Sequence, residues 1–220
     1  MGKPIITLLL FLFLPVTFLF SQSGNPFSYI ERAAIRLDSI KNYECHFVVK
    51  TDFEAIDMPV KRGRLVFKWP AHYLIINNGF TLLPEMKLVP IIRVIKKPDF
   101  NAAYLPDDQV DMFDCKVIRL IPVDSVSLFK NLVIWVDKNS ALVRRVQFNY
   151  KNGNEYFYHY RYHGSKTALP SNLEYRFKVQ GEQKVLRSPN PLMKAPQYLQ
   201  NTPVKGKLRF NCRYTDVRIK

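Results

Sequence analysis

Along most of this chain apolar and polar positions alternate one for one, as they do in strands with one buried and one wet face. In residues 43–52 Tyr43, Cys45, Phe47 and Val49 share one side, and Glu44, His46, Val48 and Lys50 share the other. Residues 60–69 repeat the pattern, with Leu65, Phe67 and Trp69 opposite Arg64 and Lys68, and residues 72–76 read as a third strand. The clearest run spans residues 115–162. Its first strand stops at Pro122, which cannot donate to a central ladder. Residues 129–136 are dense in β-branched and aromatic side chains. A turn at 137–140 leads into a strand where Val146 and Phe148 face away from Arg145, Gln147 and Asn149. Asn152-Gly153 then turns the chain into residues 155–162. Two more strands are expected at 172–180 and 207–214.

The period changes once. After Asn25-Pro26, a cap followed by a proline suited to the first helical position, Phe27, Ile30, Ala33, Ala34, Leu37 and Ile40 recur at helical spacing up to Lys41-Asn42. Residues 80–113 are apolar but broken by Pro84, Pro90, Pro98 and Pro106, and read as an irregular segment, either a lid or a loop over a core edge. Residues 187–206 carry four further prolines and read as a long excursion. Each strand thus offers an apolar face, and one helix is present to cover them. The expected fold is α+β, mainly β: a strongly curved antiparallel sheet, an incomplete β-barrel, with the N-terminal helix packed in its concave face.

The first residues stand apart from this domain. Met1-Gly2-Lys3 precedes an apolar run from Pro4 to Phe20 and then Ser21-Gln22-Ser23-Gly24, the outline of a secretory signal peptide cleaved near Ser21. An uncleaved anchor is the alternative, although the run is short for a span. Residues 22–220 are expected to form a single domain, exported to the periplasm. The full chain carries a net charge of +15; removing residues 1–21 takes one lysine and no acid, leaving 15 − 1 = +14. Such a balance suits anionic lipid headgroups, acidic glycans or nucleic acid. The lysines and arginines recur singly, however, as they would if spread over outward strand faces. Cys45, Cys115 and Cys212 are an odd number, so one disulfide and one free thiol, or three free thiols, remain open.

Catalytic chemistry is not evident. The sequence has no Gly-rich phosphate loop and no nucleophile elbow. His159 and His163 sit about 13 Å apart on an extended strand, too far for one ion. Asp107, Asp108, Asp111 and Asp114 lack the glycine and terminal glutamate of a calcium loop and read as a solvated turn. Tyr156, Tyr158, Tyr160 and Tyr162 could stack bases, but a sheet face packed under a helix or loop is the simpler account. No catalytic residue, metal or cofactor is expected, and no nucleic-acid partner.

The order of these pieces resembles the LolA-like family of periplasmic lipoprotein and lipid carriers, including its outer-membrane lipoprotein-sorting members. The resemblance rests on the helix running into Ile40-Lys41-Asn42-Tyr43 and on Gly63 to Pro70 before a third strand. It rests further on Leu120-Ile121-Pro122 followed by Leu132 to Asp137, on Asn152-Gly153-Asn154 and on Ala168-Leu169-Pro170. One position departs: Trp69, beside Lys68, stands where the lipoprotein carrier has an arginine that governs lid opening. The resemblance implies a non-enzymatic, monomeric protein of outer-membrane biogenesis that holds acyl chains of lipids or lipidated proteins and makes transient contact with membrane-associated partners. The alternative is a non-transport sensor module on the same fold. The expected cavity wall is Phe47, Val49, Leu65, Phe67, Trp69, Ile75, Leu120, Trp135, Val146 and Phe148, each of which could equally be plain core.

Overall fold

A computed structural model describes residues 24–53, 59–68, 72–76, 92, 95, 97–164, 166–180 and 203–219. Helix α1 (Phe27–Asp38) is followed by strands β1 (Ile40–Phe53), β2 (Lys61–Lys68), β3 (His72–Ile76), β4 (Phe100–Val110) and β5 (Phe113–Pro122). Then come β6 (Phe129–Asp137), β7 (Val143–Tyr150), β8 (Glu155–Arg161), β9 (Asn172–Val179) and β10 (Val204–Ile219). All ten strands join one open sheet in the order β3-β2-β1-β10-β9-β8-β7-β6-β5-β4, every pair antiparallel. The first and last long strands, β1 and β10, pair with each other and place the two meanders side by side.

The helix starts as its sequence asks: the Asn25 side-chain oxygen accepts the Phe27 N–H at 3.0 Å. It ends earlier than expected. Ser39 alone separates α1 from β1, so Ile40, Lys41 and Asn42 are strand rather than helix. Ile30, Ala33 and Leu37 form its buried stripe. Strands β1 and β6 stand five places apart in the ladder, about 24 Å on a flat sheet. Helix α1 nevertheless touches both, so the sheet bends around it. The Arg36 guanidinium donates to the Ser140 carbonyl in the β6–β7 turn, and the Asn25 carbonyl accepts the Tyr104 hydroxyl of β4 at 3.2 Å. Cross-strand pairing also sets aromatic rings over bare backbone, with Phe53 and Phe177 the two ladder partners of Gly206. A Cβ at Gly206 would lie 2.4 Å from the rings of both Phe53 and Phe177.

Residues 100–110 correct the expectation of an irregular segment. They form β4, the edge strand, and Pro106 falls within the register shift between Leu105 and Asp108. An edge strand with a bulge is where proline is tolerated. Beyond the bulge the β4–β5 hairpin lies over the outer face of the sheet. Val110 and Leu105 pack there on Cys115, Val117, Val133 and Trp135, a small second core. Both faces of β6 from Leu132 to Asp137 are consequently buried, which is why that strand reads as a nearly continuous apolar run. The acidic cluster fastens this flap and is more than a solvated turn. Asp107 pairs with Lys116 at 3.0 Å and Lys138 at 2.7 Å, Asp108 accepts the Trp135 indole N–H at 2.9 Å, and Asp111 meets His159 at 2.6 Å.

Candidate functional site

The inner face of the sheet carries one continuous core, and its two ends differ. At the end where α1 finishes, the helix stripe shares one buried cluster with Ile40, Phe67, Phe210, Ile134, Leu142 and Leu173. Beneath the helix terminus lies a buried ion pair. Arg144 donates to Asp137 through Nη2 at 2.7 Å and Nε at 3.2 Å, and the two residues are 4% and 2% exposed. Burial opposes the Asp137 charge, but the Ser140 and Asn139 N–H groups and Arg144 outweigh it and hold the carboxyl below its usual range. The Arg144 guanidinium also stacks 3.5 Å from the Phe113 ring centroid. An open depression of about 510 Å³ between Arg36, Phe113, Asn139, Arg144 and Tyr162 marks this end from outside.

The opposite end is aromatic. A chain of rings crosses the inner face: Phe53 to Phe177 at 5.5 Å, Phe177 to Tyr175 at 5.8 Å, and Tyr175 to Tyr158 at 4.9 Å. It continues through Tyr158 to Phe148 at 5.6 Å, Phe148 to Phe129 at 5.7 Å, Phe129 to Tyr150 at 4.8 Å, and Tyr150 to Tyr156 at 5.2 Å. The alternation of β8 aims Tyr156 and Tyr158 inward, and their ladder partners Phe177 and Tyr175 on β9 point the same way. Phe148 and Tyr175 are buried, whereas Phe53, Phe129, Tyr150, Tyr156, Tyr158 and Phe177 are half-buried. Burial pushes the Tyr158 phenol up to about 12 and raises Tyr150 and Tyr156 as well.

Seven of the ten expected wall residues, Phe47, Val49, Leu65, Phe67, Leu120, Val146 and Phe148, lie in this inner core. Of these Phe148 belongs to the aromatic chain. Ile75 pairs with Leu65 in the β2–β3 ladder, and Trp69 lies outside the described residues. Trp135 is corrected: it sits on the outer face, under the β4–β5 flap, with Arg145 5.3 Å from its ring. The β-bulge between Trp135 and Val136 also lets Arg144 turn under the helix end. Residues 129, 150, 156, 158 and 177 are absent from the expected wall. Their signal was the tyrosine alternation of β8, whose significance depends on its cross-strand partners.

The three cysteines are free thiols. Register places Cys45 opposite Tyr214 and Cys212 opposite Phe47, so these two are diagonal neighbours on the inner face. The neighbouring Cys212 and burial push the Cys45 thiol up. Among the described residues no group of three His, Cys, Asp or Glu is placed to hold a metal, and no helix is long and apolar enough to cross a membrane.

No protein-family model matches the chain, and no curated protein matches it. Solved structures do. The chain is similar to a LolA superfamily protein from Nitrosomonas europaea, with 11% identity over 90% of this chain and 94% of that one, at a TM-score of 0.48. It is similar to an outer membrane lipoprotein-sorting protein domain from Vibrio parahaemolyticus, with 14% identity over 89% and 94%, at 0.41. It is also similar to MucB in the Pseudomonas aeruginosa MucA/MucB complex, with 7% identity over 86% and 94%, at 0.32.

Proposed function

We propose that this is an exported, non-catalytic binding protein that holds acyl chains of a lipid or lipidated protein against the aromatic end of the inner face. The observation that carries the reading is the half-buried ring chain from Phe53 to Tyr156, set on a curved sheet whose helix is anchored at the other end. Ring faces suit methylene chains, each buried CH₂ contributing about 0.8 kcal/mol. The hydroxyls of Tyr150, Tyr156 and Tyr158 suit an ester or amide headgroup. Phe148 would form the inner limit of the site. Phe47, Val49, Leu65, Phe67, Leu120 and Val146 would support it as core. The signal peptide ending near Ser21 and the single domain over 22–220 belong to the same proposal, since residues 1–23 lie outside the described residues.

Native mass spectrometry of protein purified from its own envelope tests this. A co-purifying lipid mass is expected, and a bare-chain mass at every stage would overturn the reading. The filled core under α1 favours a second reading, a non-transport sensor module that binds a protein partner. A recovered partner without any lipid would support that one.

A further inference from the structure

The outer face of β2, β1 and β10 carries a charge arrangement that the fold does not need. Val48, half-buried, sits at its centre. In the ladders Arg62 and Asn211 lie directly across from Val48, Arg64 and Arg213 across from His46, and Arg209 across from Lys50. One valine is therefore ringed by Arg62, Arg64, Arg209, Arg213, Lys50 and His46, all exposed. Cations placed opposite or diagonal to one another repel and destabilise a sheet.

Carboxylates offset this ring only in part: Asp52 follows Lys50 on the same side of β1, and Asp216 acts on Arg64. Glu44 is engaged by Arg64 at 2.6 and 2.5 Å and by His46 at 2.6 Å. Glu174 is shared by Arg176 at 3.1 Å, Lys207 at 3.3 Å and Arg209 at 3.5 Å. Among the described residues Lys50, Arg62 and Arg213 have no carboxylate within ion-pair distance. A shallow depression of about 370 Å³ opens between His46, Val48, Arg62, Asn211 and Arg213, with Phe47, Gly63 and Cys212 also in its lining.

We infer that this face docks on a layer of anionic phospholipid headgroups. The depression is wide, open and rimmed by long flexible cations, which suits many phosphates at shallow depth rather than one enclosed anion. The outward positions of β1, β2 and β10 carry no Phe, Tyr or Trp, so neither the extended stacking platform of a single-stranded nucleic-acid site nor the large aromatic anchor of a protein hot spot is present there. The site lies on the opposite side of the sheet from the aromatic end and stands independently of acyl binding.

The test is co-sedimentation of the mature chain with vesicles of mixed phosphatidylglycerol and phosphatidylcholine, against pure phosphatidylcholine, at physiological and high salt. Binding is expected to the mixed vesicles alone and to fall with salt. The double substitution R62Q/R213Q is expected to weaken it about 25-fold, near fivefold per cation. The charge-matched pair R119Q/K166Q, on exposed positions elsewhere, should leave it close to the parent. Equal losses from the two pairs would overturn the assignment, as would no loss from either. Polyglutamate or oligothymidylate binding more tightly than the vesicles, with the same sensitivity to R62Q/R213Q, would assign the face to another polyanion and overturn it too. Lipid retained in native mass spectra of R62Q/R213Q would separate this outcome from the fate of the acyl site.

Discussion

The two ends of the inner face are built from the same strands and behave as opposites. At the helix end Leu37, Ile40, Phe67, Leu142 and Phe210 are fully covered and a charged pair, Asp137 with Arg144, is locked beneath it. At the aromatic end rings touch rings, yet six of the eight remain half-buried. A single short helix can close one end of a bent sheet; the other keeps apolar surface whose burial still has free energy to offer a guest. The contrast separates residues that hold the fold from residues that can bind.

The helix end should show the largest stability effects. Asp137→Ala leaves Arg144 buried without its counter-charge and is expected to destabilise by about 3–5 kcal/mol, read as a lower midpoint in urea unfolding. Leu37→Ala removes the centre of the helix stripe and is expected to destabilise by about 2–5 kcal/mol. In both variants, assayed in the cold where they stay folded, apolar ligand binding should persist. Its loss would mean the two ends are one site.

The aromatic end should show the reverse. Phe129→Ala or Tyr156→Ala removes a partly exposed ring, so at most about a third of the 1.5–3 kcal/mol of a fully buried side chain is at stake for a ligand. Affinity for a fluorescent fatty acid should fall about two- to fivefold for each. The unfolding midpoint should move less than for Leu37→Ala, and the opposite order would break the comparison.

Titration sharpens it in both directions. Tyr150, Tyr156 and Tyr158 have folded pKa values above the ordinary tyrosine value, near 12 for Tyr158. Their contribution is therefore complete below pH about 10 and lost as pH rises through the raised values. Tyrosinate absorbance should develop late and coincide with loss of ligand binding. At acid pH Asp137 contributes stability above the ordinary carboxylate pKa and loses it as pH falls through its depressed value. His159 is the smallest effect. Burial lowers its pKa despite Asp111, so its contribution is present above the ordinary histidine value and lost as pH falls through the depressed one. That protonation should loosen the β4–β5 flap and shift Trp135 emission before global unfolding.

Much of this architecture was legible in the sequence, for identifiable reasons. Alternation located β1, β2, β7 and β9, and the density of β-branched and aromatic residues located β6, because each of them faces core on at least one side. β4 stayed hidden because Pro106, Asp107 and Asp108 break its pattern, and what holds its hairpin is ion pairs across the sheet rather than periodicity. Trp135 was placed on the wrong face because β6 is apolar on both sides and alternation carries no information there. The ring chain needs partners from β1, β6, β7, β8 and β9 at once, and no single strand announces which of its aromatics will lie beyond the reach of α1.

The most direct test of the central claim is to map where an acyl chain lies. A fatty acid carrying a photoactivatable group along its chain should crosslink to peptides containing Phe129, Tyr150, Tyr156 and Phe177. Crosslinks confined to α1 and the strands beneath it, or crosslinks that persist unchanged after Phe129→Ala and Tyr156→Ala are combined, would contradict it.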